Sequence, residues 1–185
     1  MKNKHRLSRG HATALACLFA ILSVVPLHAD TCDTIAVASE KVWQIPVHIY
    51  STQTFSSRAI PTRSSESIYV GGAVYVMVRG KWTRSRITIA QLKESQDEGK
   101  KDTPKPACRY LREESVNGEP AAVYATHGEG DGYKSDLTLW ISKSRNVPLR
   151  SESDMDTGVA GSSDGKSHAS MRYEYANVQP PAGVR

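Results

Sequence analysis

From Arg109 to the end of the chain, β-prone segments follow one another with only short turn signals between them, and nothing there has helical spacing. Arg109–Val116 reads as a strand. Asn117-Gly118 is the residue pair that a two-residue hairpin with positive φ favours, and Pro120–Thr126 is the return strand. His127–Gly132, with glycine at 128, 130 and 132, reads as a flexible turn. Leu137–Ser142, Pro148–Met155 and Ser167–Tyr175 are three further strands, separated by Ser144-Arg145-Asn146 and by the Gly/Ser/Asp loop Thr157–Gly165. Parallel neighbours need crossovers of about a dozen residues or more, usually helical, and the connections here are shorter. Such strands pair antiparallel with their sequence neighbours.

The preceding half adds strands and two helices. Thr34–Trp43 has apolar residues at 35, 37, 38, 42 and 43, with Asp33 or Thr34 available as a cap and Pro46 to end the helix. Val47–Phe55, Ser64–Val70 and Ala73–Arg79 alternate and are rich in β-branched and aromatic residues. Gly71-Gly72 is either a tight turn or a bulge in one long strand. Ile87–Lys101 reads as a short amphipathic helix whose charged end, Glu94–Lys101, is a solvated face, followed by an exposed Pro/Lys loop. The expected class is mostly β (α+β): an open, strongly curved antiparallel sheet or half-barrel of seven or eight strands, with one or two short helices.

The N-terminus is of another kind. Lys2, Lys4, Arg6 and Arg9 precede a 14-residue apolar stretch, Ala12–Val25, interrupted only by Thr13 and Ser23. Crossing a bilayer takes about 20 apolar residues. A basic region, a short apolar core and the small Ala29 fit a cleaved secretory signal over residues 1–29, leaving residues 30–185 as one domain. Leu27 stands where a smaller residue is usual. A lipid-modified cysteine is not expected, since Ala29-Asp30-Thr31 before Cys32 and Ala14-Leu15-Ala16 before Cys17 fit that signal poorly.

Cleavage changes the charge argument. The whole chain has 24 Lys plus Arg against 19 Asp plus Glu; without the four basic residues of the signal the balance is 20 against 19. The basicity belongs to the targeting segment, so nucleic acid is not an expected partner. Cys17 leaves as well, and Cys32 and Cys108 remain. In an oxidising compartment two such cysteines most simply pair, the alternatives being two buried thiols or a bond between chains. The absence of Cys-x-x-Cys leaves a redox enzyme without support.

Signatures of chemistry are missing. His48, His127 and His168 lie in different strands or loops without the paired spacing of a zinc site, so no metal or cofactor is expected. Gly161-Ser162-Ser163-Asp164-Gly165 has the spacing Gly-x-Ser-x-Gly, but it sits in a Gly/Ser loop that leads into a strand, whereas a nucleophile elbow joins a strand to a helix. Asp154-Met155-Asp156-Thr157-Gly158 begins like a calcium loop, but Gly165 stands where the closing Glu belongs. Glu113-Glu114 and Glu152/Asp154 are the carboxylate pairs that alternation on a polar strand face produces.

The C-terminal residues carry a resemblance. Val116-Asn117-Gly118-Glu119-Pro120-Ala121, then Leu139-Trp140-Ile141-Ser142-Lys143, Val147-Pro148-Leu149-Arg150-Ser151-Glu152 and Arg172-Tyr173-Glu174-Tyr175 stand in an order that resembles the sheet of the LolA/LolB-like superfamily of periplasmic lipoprotein carriers and sensors. It covers about 75 residues from Cys108 onward well and the earlier strands loosely. The usual glycine before Pro-Leu is replaced by Asn146, which also tolerates positive φ. The resemblance implies a half-barrel with helices over its concave side, a cavity able to accept acyl chains, and a periplasmic location. Fold alone does not convey activity.

Large side chains at alternating positions define the candidate site. Tyr75, Met77, Tyr124, Trp140 and Tyr173 are expected to contribute to a common apolar cluster that in part lines a cavity, although sequence leaves open which strand parity faces inward and whether these residues form a solid core instead. Two functional readings follow. The first is a non-catalytic periplasmic protein holding a lipid, acyl or lipoprotein ligand; the second is an envelope protein-interaction module, an inhibitor or sensor, without a lipid. A hydrolase with a dispersed site using His48 or His127 ranks below both. The signal generates the first testable expectation: N-terminal sequencing of the protein from the cell envelope should find a start near Asp30, whereas full-length chain in washed membranes would contradict cleavage.

Overall fold

A computed structural model describes residues 31–57, 59–101, 104–130, 132–157 and 165–184. The expected signal segment, residues 1–29, and most of the Thr157–Gly165 loop lie outside the described residues. Among the described residues two helices, α1 (Thr31–Lys41) and α2 (Ile89–Lys101), accompany nine strands: β1 (Val47–Phe55), β2 (Arg63–Val70), β3 (Ala73–Val78), β4 (Lys81–Arg84), β5 (Ala107–Val116), β6 (Glu119–Gly130), β7 (Tyr133–Ser142), β8 (Pro148–Asp156) and β9 (Lys166–Glu174). No helix among the described residues is long and apolar enough to cross a membrane.

All nine strands form one open, curved antiparallel sheet in the order β4-β3-β2-β1-β9-β8-β7-β6-β5. It consists of two meanders, β1–β4 and β5–β9, joined where β1 pairs with β9 from His48↔Glu174 to Phe55↔Ser167. The hairpins are set by positive-φ pairs: Gly71-Gly72 (58° and 78°), Arg79-Gly80 (51° and 76°) and Asn117-Gly118 (51° and 85°). Turns of this kind twist with the strands they join. Gly71-Gly72 is therefore the turn and not the bulge. Register shifts lie elsewhere, in β5 between Tyr110 and Arg112 and in the β7–β8 pairing, where Trp140 faces Arg150 but Ile141 faces Pro148; the first concerns the sheet's edge. Together with Arg109, Arg112, Glu113 and Glu114 it protects a long edge strand from pairing with another chain.

Three sequence expectations are corrected. The described strands number nine and not seven or eight, because Lys81–Arg84 pairs with β3 as a short edge strand. His127–Gly132 is not a flexible turn, because β6 runs on to Gly130 and its pairing continues through His127↔Asp136 and Glu129↔Lys134. A Cβ on Gly130 would fall 2.3 Å from Cε1 of Tyr133, so the Tyr133 ring fills the space a side chain would take and compensates for glycine in the strand. The first helix begins at Thr31, three residues earlier than expected, which puts Cys32 in its first turn. There Cys32 bonds Cys108 of β5, with the two Cα atoms 5.3 Å apart.

The disulfide holds α1 against one side of the sheet, here called the helix face. Ile35 and Ala38 pack on Leu139 and Ile141, with Cys108 and Tyr124 at the margin. Just past the helix, Val42 joins Val47 and Ile49, flanked by Tyr69, Met171 and Tyr173. Lys41 Nζ donates to the Arg145 carbonyl at 2.9 Å and ties the end of α1 to the β7–β8 turn. Of the two helices, α1 is the cover. α2 has no buried residue among those described and touches the strands sparsely. It forms through local capping, Thr88 N to Gln91 Oε1 at 2.9 Å and Gln91 N to Thr88 Oγ1 at 3.3 Å. Lys93 ties it to Glu40 of α1 at 3.1 Å.

The opposite side, here called the open face, is covered only at its flanks. Trp140, Val123 and Ala121 pack with Val147 and Leu149 beneath Leu111 and Val116. Ile68, Ala73 and Tyr75 are covered by Trp82 and by Val178 and Val184 of the C-terminal segment. Removing the disulfide by changing both Cys32 and Cys108 to Ser should lower stability by about 2–4 kcal/mol, since the bond closes a long loop in the unfolded chain. Urea unfolding of the two proteins at one pH measures the difference.

Candidate functional site: the polar trough of the open face

Cross-strand partners lie on one face of a sheet, and register divides the five expected site residues between the two sides. Tyr124, opposite Leu139, and Tyr173, opposite Ile49, are on the helix face. Tyr75, opposite Ile68, and Met77, opposite Trp82, are on the open face, as is Trp140, opposite Val123. The structure brings Tyr75 together with Trp82 and the C-terminal segment, Trp140 with Val123 and Leu149, Tyr124 with α1, and Tyr173 with Val47 and Ile49. It does not bring the five together. Tyr124 meets Tyr110 edge to face at 5.7 Å, and burial pushes its phenol pKa up. Burial raises that of Tyr173 as well, whose hydroxyl lies 3.3 Å from Ser151 Oγ.

Among the described residues, surface depressions of 350 to 430 Å³ are open to solvent, and of the five expected residues Tyr124 lines one of these. One, of about 430 Å³, lies at the centre of the open face and is lined by Tyr50 and Thr52 of β1, Arg150 and Glu152 of β8, His168, Ser170 and Arg172 of β9, and Val116-Asn117 at the β5–β6 turn. Strands β1 and β5 are five places apart in the sheet, about 24 Å at ordinary strand spacing. One depression touches both because the sheet curls and carries the β5–β6 turn over β9 and β1.

The floor of the trough is a grid. Its central row runs Trp140 (β7), Arg150 (β8), Arg172 (β9), Tyr50 (β1) and Glu66 (β2), each opposite the next. Arg150 Cζ lies 4.8 Å from the Trp140 ring and Arg172 Cζ 3.9 Å from the Tyr50 ring, distances at which a cation is attracted to an aromatic face. Each guanidinium also pairs with a carboxylate two residues along its own strand, Arg150 with Glu152 and Arg172 with Glu174. Tyr50 donates to Glu174 at 3.2 Å and stacks on His48 at 4.1 Å, and His48 meets the edge of Trp82 at 5.6 Å. At the other end, Trp140 Nε1 donates to Glu114 Oε2 at 2.5 Å. That bond, and then Arg112, holds the Glu114 pKa below its ordinary value.

Nearer the strand ends a second row reads His127, Asp136, Asp154, His168 and Thr54. His127 Nδ1 lies 2.8 Å from Asp136, and His168 Nδ1 lies 2.9 Å from Asp154. Beyond it run Glu129, Lys134, Asp156 and Lys166 in alternating charge. Among the described residues no imidazole is hydrogen-bonded to a Ser, Thr or Cys side chain. Among them, too, no three His, Cys, Asp or Glu side chains are arranged to hold a metal ion.

Sequence reasoning singled out none of Tyr50, Arg150 or Arg172. Parity within β8 puts Arg150, Glu152 and Asp154 on one side. Aligning them with β9 and β1 needs the β1–β9 register, for which no turn signal exists.

No protein-family model matches the chain, and no curated protein does so either. Among solved structures it is similar to LprF from Mycobacterium bovis, at 10% identity over 83% of this chain and 97% of that one, with a TM-score of 0.44. It is also similar to the Mycobacterium tuberculosis lipoprotein LppX, at 10% identity over 81% and 94% with a TM-score of 0.41. A LolA-superfamily protein from Nitrosomonas europaea is matched at 12% identity over 79% and 92%, with a TM-score of 0.32.

The second row carries a pH signature. The hydrogen bond to Asp136, then that to Glu129, raises the His127 pKa above its ordinary value. A raised imidazole pKa favours the folded state at pH below the unfolded value, and that contribution fades as pH rises through the folded value. In an NMR titration His127 should have its midpoint above the ordinary value of about 6.5. Asp136→Asn should bring it down; a midpoint that does not move would show that the pair is not formed in solution.

Proposed function

We propose that this chain is a non-catalytic, exported protein of the periplasm that recognises a partner protein of the envelope through the open face of its sheet. One observation supports the reading above others. The buried apolar side chains fall into separate packed clusters, while the trough at the centre of the open face remains open and is lined by Arg150, Arg172, Tyr50 and His168. Arginine and tyrosine are the residues that, with tryptophan, dominate binding energy at protein interfaces. Mounting them on paired strands keeps their positions fixed before the partner arrives.

A second reading, an acyl or lipidated ligand held between helices and sheet, is favoured by a different observation. α2 is tied to α1 through Lys93–Glu40, a pair whose side chains are 38% and 32% exposed. Pairs this exposed hold weakly, while Tyr69, Met171 and Tyr173 on the helix face are only partly buried. On this reading α2 moves aside, the helix-face members of the expected set, Tyr124 and Tyr173, contact the ligand, and Tyr75, Met77 and Trp140 brace the sheet from the other side.

One experiment separates the two. A photo-reactive residue at Thr52, exposed in the trough, should cross-link to one partner in the intact envelope, and one at Val37, exposed on α1, should not. Organic extracts of the purified protein should then contain no acyl chains. Stoichiometric acyl chains with no adduct at Thr52 would favour the second reading.

A further inference from the structure

We propose that the trough docks an acidic segment of the partner protein, whose carboxylates bind across Arg150 and Arg172. This rests on the reading of the open face as a partner surface and specifies the chemistry recognised there.

Arg150 and Arg172 are direct cross-strand partners. Like charges at such positions repel, and both side chains are close to half exposed, at 49% and 45%, so packing does not require them. The site instead restrains them for use. Each guanidinium rests against an aromatic ring and is held on one side by a glutamate of its own strand. The remaining N–H groups of both have no partner among the described residues. A guanidinium offers five N–H donors in a planar fork that matches a carboxylate.

Glu152 and Glu174 occupy those forks only in part. Exposed ion pairs within a strand are weak, so an incoming carboxylate takes their place at small cost. Around the arginines the trough offers neutral groups suited to a peptide: the hydroxyls of Thr52 and Ser170 and the amide of Asn117. A basic segment meets Arg150 and Arg172 and finds Glu152 and Glu174 already paired to them, and a nucleic acid meets Glu152 with only two arginines to offset it. A short acidic stretch fits both the charge and the volume of about 430 Å³.

The test uses the mature chain and a fluorescein-labelled Gly/Glu octapeptide, read by fluorescence anisotropy. Binding should be saturable and weaken as salt is added. Arg150→Gln and Arg172→Gln should each weaken it by about tenfold or more, the scale of a lost charge-assisted bond. Glu174→Gln should strengthen it by removing the internal competitor. Arg172→Lys keeps the charge but lacks the fork, and should also weaken binding while unfolding like the parent. Arg63→Gln, at a cation that rests over Phe55 outside the trough, should change nothing. The proposal is overturned if a Gly/Lys octapeptide binds equally well, if the folded Arg172 variants bind as the parent does, or if inorganic phosphate binds and the acidic peptide does not. Should the peptide fail while the Thr52 adduct persists, the acidic chemistry is wrong and the partner surface stands; loss of both overturns both.

Discussion

Antiparallel pairing of β1 with β9 is the constraint on which the rest of the molecule depends. Each meander is held by hairpins whose strands are neighbours in sequence, and either could twist on its own. Only the eight register pairs from His48↔Glu174 to Phe55↔Ser167 make them one sheet. These contacts join residues more than a hundred positions apart, so their loop-closure cost is met late in folding. The trough floor straddles that seam: Arg172 and His168 come from one side of it, Tyr50 and Thr52 from the other. A shift of one residue would invert β1 relative to β9 and send Tyr50 to the helix face.

The two faces solve the problem of cover differently. On the helix face α1 is clamped by the disulfide at its start and by Lys41 near its end, and what it buries is aliphatic. Among the described residues no helix packs on the open face, and the sheet's own curl supplies the flank: Leu111 and Val116 of the edge strand pack against the cluster of Val123 and Trp140. The C-terminal residues Val178 and Val184 cover the other flank. Between the flanks the floor is polar and each charge has a local partner. That division explains how a sheet with large side chains on both sides stays folded with a single covering helix.

Much of this was legible in the sequence, and the limits have physical causes. Asn117-Gly118 and Gly71-Gly72 announce hairpins because few other residues adopt positive φ at both positions, and register follows locally from each. The cysteine pair was legible because only two cysteines lie outside the expected signal segment. The β6–β7 extension was not, since Gly128 and Gly130 read as a break until the Tyr133 ring is seen over Gly130. Nor was α2's isolation, because a helix formed by capping shows the same pattern as one formed by burial. The candidate site suffered most. Alternation shows that Tyr75 and Met77 share a face with each other, but not that Trp140 shares it too, nor that Tyr124 and Tyr173 lie opposite. That assignment passes through the β1–β9 register, which carries no local signal.

Where a local rule is broken without gain in packing, function is the usual reason. Along the central row of the open face every neighbour follows the rules of a stable sheet except one pair: an aromatic beside a cation, a tyrosine beside a carboxylate, and then two arginines opposite one another. Threonine at either position would suit a half-exposed strand better and would remove the repulsion. The in-strand glutamates moderate that repulsion, but they would be unnecessary if the arginines were absent. The arrangement therefore costs stability twice, in opposed charges and in ordered long side chains. It returns a preformed, doubly charged surface on the floor of the solvent-open trough.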